Sequence, residues 1–254
     1  MIDALYISAS GLRSGQKQID VISNNVANMN TPGFKRGRVN FVEVATARVA
    51  AATGSQIEST GNGTRIHSTT TMFGEGELRA TQNPLDLAIL GAGFFEFEAE
   101  DGTLVYSRDG QFRLDAEGQL VNVQGLRLSR PVQIPADATQ VRIAPNGEVT
   151  AQLAGQAERT LLGVIELTAF AASDALVAIG DNRFTATEAA GAPAYGRPGD
   201  TGFGKVQQGY VEMANVEMVE EMTALVLAQR AYQLNARVLQ ASDQILETIN
   251  NLRR

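Results

Sequence analysis

The residues that could do chemistry are few and poorly placed for it. His67 is the single histidine of the 254-residue chain, and cysteine is absent. Thiolate catalysis, disulfides and cysteine-built metal sites are thereby excluded. His67 stands in a polar stretch without an evident carboxylate partner, where a solvated side chain is the ordinary expectation. "GAGFFE", residues 91 to 96, begins like a dinucleotide loop with Gly91 and Gly93. Glu96 occupies the third glycine position, however, and aromatics stand where a helix should open. It reads better as a strand bend at which backbones approach closely. In "DGQFRLDAEG", residues 109 to 118, Asp109, Asp115 and Glu117 lack the spacing and the glycine of a calcium loop and suit turns instead. Glu217, Glu220 and Glu221 open a long apolar-patterned segment, where the positive end of a helix favours them. No nucleophile elbow or phosphate loop is present. The expected catalytic, cofactor and metal sets are empty, and the chain reads as a non-enzyme.

A different chemistry is concentrated in "NNVANMNTPGFKRGR", residues 24 to 38. Asn24, Asn25, Asn28 and Asn30 crowd the end of a helix-patterned segment, although asparagine amides compete with the helical backbone. They either cap a fraying end before Pro32 or bridge groups on neighbouring subunits where water is excluded. Pro32-Gly33 turns the chain, and Lys35, Arg36 and Arg38 either meet acidic neighbours such as Glu217 to Glu221 or are solvated.

The elements that position these residues divide the chain in three. Leu5, Leu12, Ile19 and Val26 recur every seven residues, with Ala9, Ile22 and Met29 widening the stripe, as a helix facing a partner helix requires. At the other end Ala224, Leu227, Ala231, Leu234, Val238, Ala241, Ile245 and Leu252 follow the three-four alternation. Leu225, Tyr232, Leu239 and Leu246 form a second stripe beside it. Asn215 is the expected N-cap, and Arg253 and Arg254 suit the helix end. Between these helices, residues 79 to 204 read as β structure. Asp101-Gly102, Asp109-Gly110, Glu117-Gly118 and Asn146-Gly147 separate short strand-like runs, and such pairs supply the positive φ of tight hairpins. Strand spacing points to a sandwich or partly closed barrel. Residues 42 to 75 read as a linker or a strand pair, and 185 to 204 as a long surface loop.

The expected fold class is therefore α+β. N- and C-terminal helices pair as a coiled-coil-like inner domain, followed by an extended linker and a mainly antiparallel β outer domain. The boundaries are 1–34, a linker or hairpin at 35–78, β structure at 79–204, a return linker at 205–215, and the last helix at 216–254. One antiparallel helix pair leaves a stripe of the C-terminal helix unburied. Each large apolar side chain buried is worth about 1.5–3 kcal/mol, so that stripe packs either on the β region or on other subunits. The arrangement expected here pairs Leu227, Leu234 and Val238 with the N-terminal helix and gives Leu225, Tyr232 and Leu239 to other subunits.

Composition bounds the rest. Hydrophobic residues make up 44% of the chain, enough for a core, and the net charge is −7. A negative chain with scattered basic residues has no nucleic-acid footprint. No apolar run reaches the roughly 18–20 residues needed to span a bilayer. Asp3, Ser8, Ser10 and Arg13 interrupt any signal-peptide pattern at the start.

The chain resembles the bacterial flagellar rod and hook family of axial proteins. The carrying residues are "GLRSGQKQIDVISNNVANMNTPGFKR" with its Asn-Asn-x-Ala-Asn element, "NPLDLAILGAGFF" at 83 to 95, "YSRDGQF" at 106 to 112, and "QGYVEMANVEMVEEMTALVLAQRAYQLNAR" at 208 to 237. Chain length suits a rod subunit better than the usual hook protein. "GYVEMANV" is similar to the distal-rod branch, with Ala214 in a serine place. Residues 43 to 62 are shorter and richer in alanine than that branch leads one to expect, which keeps a neighbouring proximal-rod paralogue open. A secreted β-rich peptidoglycan-binding module with oligomerising helices is the alternative from another class.

The resemblance implies paired terminal helices in an inner tube that transmits motor torque through the periplasm toward the hook. It implies partners: copies of itself in a helical homopolymer, other rod proteins, the hook protein, the surrounding ring proteins that act as a bushing, and the type III export apparatus. It implies export without a cleaved signal peptide, and neither nucleic-acid binding nor membrane insertion. The expected self-assembly residues are Leu5, Leu12, Ile19, Ile22, Asn24, Asn25, Val26 and Asn28 in the first helix. In the second they are Leu225, Leu227, Tyr232, Leu234, Val238, Leu239, Ile245 and Leu246.

Overall fold

A computed structural model describes residues 2–48, 58–99, 101–154 and 158–252. Helix α1 spans Ile2–Ala27 and helix α2 spans Met218–Leu252, and between them the chain is almost entirely short strands. The fold is thus an N-terminal helix, a mainly antiparallel β region and a C-terminal helix. Two compact units are distinguished. One comprises residues 1–27, 37–70 and 217–254, and the other comprises 28–36 and 71–216.

In the helical unit, α1 and α2 run antiparallel. Gly11 abuts the Asn235 side chain, Gly15 abuts Tyr232, and Asn25 bonds Glu221, so the partners descend as α1 ascends. Strands β1 (Gly37–Arg48) and β2 (Glu58–Thr71) pair with each other. The Asn40 amide donates to Ser68 Oγ and Thr70 Oγ1, both at 3.1 Å, and Thr64 Oγ1 donates to the Val42 carbonyl. Residues 42 to 75, read as a linker or a strand pair, are therefore largely a strand pair. Residues 49–57 of that stretch lie outside the description. β2 is tied to α1 where the Thr64 N–H donates to Ser10 Oγ at 3.2 Å. His67 is exposed on β2.

The β unit is built on a seven-stranded antiparallel sheet. Its order is Val177–Gly180, Arg183–Thr185, Leu104–Ser107, Phe95–Glu98, Arg127–Leu128, Leu120–Val121 and Arg113–Leu114. A three-stranded sheet (Ala138–Ile143, Glu148–Leu153, Arg159–Val164) is inserted in sequence between Leu128 and Val177 of the larger sheet. Leu87–Leu90 pairs with Lys205–Gln208, and Leu78–Ala80 pairs with Tyr210–Glu212. The core alternates as a pleated strand must. Phe95 and Phe97 enter one cluster with Leu87, Ile89, Phe112 and Val206. A second cluster gathers Phe94, Tyr106, Phe170 and Phe184, with Phe73 packed edge-on to two of these rings.

Three of the four expected turn pairs adopt positive φ at glycine: Gly102, Gly118 and Gly147. Asp109-Gly110 does not. A Cβ on Gly110 would sit 1.7 Å from the Leu87 carbonyl oxygen, and the Leu87 N–H donates to the Gly110 carbonyl. Close approach of two backbones, rather than turn conformation, requires glycine there. Residues 185 to 204 are also more ordered than a surface loop. Ala194–Gly196 pairs with Leu167–Ala169, and the Phe203 ring covers Gly196.

Candidate assembly site

The seam between α1 and α2 is set by small residues. Ser8, Gly11, Ser14 and Gly15 lie on one face of α1, and Ser8 and Ser14 are buried. Their slight side chains admit the Tyr232 ring and the Asn235 amide from α2. On α2 the covered residues include Glu221, Leu225, Ala228, Tyr232, Asn235, Leu239 and Ser242, which keep the three-four alternation along the helix. This reverses the expected allocation of stripes. Leu225, Tyr232 and Leu239 face the chain's own helix pair, while Leu227 and Leu234 are each 61% exposed and Val238 and Ile245 about half exposed. The stripe that is apolar throughout is the one left open. The covered seam carries polar residues that a count of apolar positions passes over.

The first-helix positions divide in the same way. Ile22 is buried, and Leu5, Leu12, Ile19 and Val26 are half-buried. Asn24 is exposed and Asn28 half-buried; Asn28 Oδ1 accepts from Thr31 Oγ1 at 3.3 Å. Asn25 is buried and its amide is engaged within the chain. Its Nδ2 donates to the Gly37 carbonyl (3.0 Å) and to Glu221 Oε2 (3.2 Å), and its Oδ1 accepts from the Gly37 N–H (2.9 Å). One side chain thus joins α1, β1 and α2: its amide serves the Gly37 backbone and the Glu221 carboxylate rather than the end of its own helix. Leu246 is 36% exposed near the end of α2.

In the β unit, the segment that follows α1 in sequence is strapped down by charge. Lys35 Nζ lies 2.5 Å from Glu212 Oε1 and 2.7 Å from the Gly74 carbonyl, and the Gly76 N–H donates to the same carboxylate oxygen. Arg108 Nη1 is 3.6 Å from Glu212 Oε2, while its Nη2 donates to the Gly91 carbonyl and its guanidinium lies over the Phe94 ring. All three charged groups are buried. Burial pulls the Lys35 ammonium below its ordinary range, with Glu212 opposing, and burial likewise lowers Arg108. The Gly33 N–H donates to the Glu212 carbonyl, and the Asn182 amide donates to that of Pro32. Lys35 therefore meets Glu212 rather than the Glu217 to Glu221 group. Asn215 is not an N-cap. Its Oδ1 accepts from the Arg36 N–H and its Nδ2 donates to Met72 and Gly74 carbonyls.

Sequence reading missed Arg108, Glu212 and Asn235 as partners. A signal for Glu212 existed: a carboxylate inside the apolar "YVEM" run has no solvent to face and needs a cation. Among the described residues no cluster of metal-ligand type occurs, and no helix is long and apolar enough to cross a membrane.

Three family descriptions match the chain in order along its length. They are the flagella basal body rod protein over residues 5–35, the flagellar hook protein FlgE/F/G D1 domain over 88–151, and the flagellar basal body rod FlgEFG protein C-terminal region over 207–252. Lys35, Arg108 and Glu212 fall one in each. The chain is 38% identical over 260 residues to the flagellar basal-body rod protein FlgG of Buchnera aphidicola subsp. Acyrthosiphon pisum, covering 99% of this chain and 100% of that one. It is 39% identical over 262 residues to the protein of the same name from Caulobacter vibrioides, again covering 99% and 100%. Identity to the flagellar basal-body rod protein FlgF of Mesorhizobium japonicum is 30% over 258 residues, covering 99% of each chain.

Proposed function

We propose a distal-rod role for this chain, which belongs to the family of flagellar hook and basal-body rod proteins, structural axial proteins rather than enzymes. The observation that carries the reading is the open stripe of Leu227, Leu234, Val238 and Ile245 on α2, in a chain similar to rod proteins along almost its whole length. An apolar stripe left in water forgoes about 1.5–3 kcal/mol per large side chain, and burial against further copies recovers it. Higher identity to the FlgG relatives than to the FlgF relative supports the distal rod over the neighbouring rod paralogue.

In this reading residues 1–34 and 216–254 form a coiled-coil-like inner assembly part, and 79–204 an outer β part, joined through 35–78 and 205–215. Leu225, Tyr232 and Leu239 hold α2 to its own α1, while Leu227, Leu234 and Val238 meet neighbouring copies. Asn24 and Asn28 add polar contacts between copies. The polymer is a helical tube within the basal body that carries torque across the periplasm to the hook protein. Other rod proteins and the bushing rings contact it, and the type III apparatus exports it without signal cleavage.

Electron microscopy of the concentrated chain tests this. Tubes or helical filaments are expected, and discrete small oligomers at every concentration would overturn the reading. Basal bodies from a strain lacking the chain should show shortened rods, restored on its return.

A further inference from the structure

We infer that a groove formed by α1, β2 and α2 receives the last turns of α2 from a second copy of this chain. Leu246 seats on its apolar floor, and Asp243 and Glu247 lie against Arg13 and Lys17. The inference rests on the self-assembly reading above and names one of its contacts. The groove has a volume of about 420 Å³, with Leu12, Ile66 and Tyr232 as its apolar lining and Arg13, Gln16 and Lys17 along one edge. Those three edge residues are spaced i, i+3, i+4, so they share one face of α1; Arg13, Gln16 and Lys17 are all exposed. Asp243, Leu246 and Glu247 repeat the spacing on α2 with opposite charge and an apolar centre, and they too are exposed. Among the described residues none of these four charged side chains forms an ion pair.

Other groups at the groove do not cancel this match. Asp20, the one carboxylate lining it, accepts from Gln16 Nε2 at 2.8 Å, which leaves a net positive edge. The other acidic group of α2, Glu220 and Glu221, stands in the first turn of that helix and complements its dipole. The chain's own α2 end cannot fill the groove. Tyr232 lines it, and Leu246 lies fourteen residues further along the same helix, about 21 Å away at 1.5 Å per residue. An α2 end seated in this groove must therefore come from another copy. Each exposed ion pair contributes little alone, but the contact recurs in every copy along a polymer, and the charges set its register.

The absence of cysteine makes the contact directly testable. Gln16→Cys with Leu246→Cys is expressed as the sole copy, and isolated basal bodies are oxidised. A ladder of covalently linked copies is expected, because a bond within one chain is ruled out by the distance above. The control pairs Gln16→Cys with Ile245→Cys, which lies about 100° away from Leu246 around the helix, and should give no ladder. In parallel, Arg13→Glu with Lys17→Glu should cut rod formation at least tenfold, and adding Asp243→Lys with Glu247→Lys should restore it. Rods that form normally despite the charge reversal, or a ladder through Ile245→Cys instead of Leu246→Cys, would overturn this contact while leaving self-assembly standing. Failure of the unsubstituted chain to form rods as the sole copy would sink both.

Discussion

The β unit buries charged side chains in a matched set, whereas the helical unit exposes apolar side chains in a continuous row. Lys35, Arg108 and Glu212 are withdrawn from water at a desolvation cost that only close pairing and added backbone donors can offset. Leu227, Leu234 and Val238 stay in water although the helix carrying them already has a partner. The two units therefore differ in what satisfies their buried and exposed groups. Buried charges demand partners close at hand, and Lys35 and Glu212 find each other within the unit once residues 28–36 are in place. An open apolar row has no such internal closure, and its burial depends on something added later.

The contrast can be broken most forcefully at the charged set. Glu212→Gln keeps the shape of the side chain but leaves two buried cations uncompensated. We expect a loss of about 3–5 kcal/mol, read from urea unfolding of the full chain by its tyrosine signal. A loss below about 1 kcal/mol would mean that the charges are effectively solvated.

Next in size is Asn25→Ala, which removes the link from α1 to Gly37 and leaves the Glu221 carboxylate buried without its amide donor. About 2 kcal/mol is expected, concentrated in hydrogen exchange of α1 and α2, with the β strands unaffected. Equal deprotection of both units would show that the helical unit has no separate stability.

A pH effect of comparable or smaller size belongs to Asp109. Burial raises its carboxyl from 3.8 to about 6; the Gln111 N–H opposes this, and nearby Asp86 adds to it. The folded chain holds a proton there that the unfolded chain releases. This site's contribution is therefore most favourable below about pH 4 and declines as pH rises toward 6. Asp109→Asn retains an acceptor for the Gln111 N–H and should flatten that slope, worth on the order of 1–2 kcal/mol. An unchanged pH dependence between 4 and 6 would assign the slope elsewhere.

The smallest effect on the isolated chain, and the largest on assembly, is expected at the open row. Leu234→Asn should change monomer stability by less than about 0.5 kcal/mol yet prevent tube formation. Leu239→Asn, on the covered seam, should lower helix protection in the monomer. If Leu234→Asn destabilises the monomer as much as Leu239→Asn does, the two stripes do not differ in kind.

Much of this was legible in the residues. Helix ends, the β middle and three of four glycine turns follow from local rules, because periodicity and positive φ are properties of neighbouring residues. The buried set of Lys35, Arg108 and Glu212 was not legible as a site. "TPGFK", "YSRDG" and "YVEM" each look locally complete, and nothing within any of them says that Lys35, Arg108 and Glu212 meet. The seam was misread for a related reason. Counting apolar positions favoured Leu227 and Leu234, whereas packing favoured Tyr232 and Asn235 because Gly11 and Gly15 leave room for them.

Composition and spacing along the chain established the two terminal helices, a β-rich middle, the absence of thiol chemistry, and more apolar helix surface than one partner helix can cover. Tertiary structure decided which stripe of α2 is covered, what Asn25 and Asn215 bond, and that three distant motifs close around one buried carboxylate. Those outcomes depend on shape complementarity and on desolvation, which exist only once segments far apart in sequence are brought together.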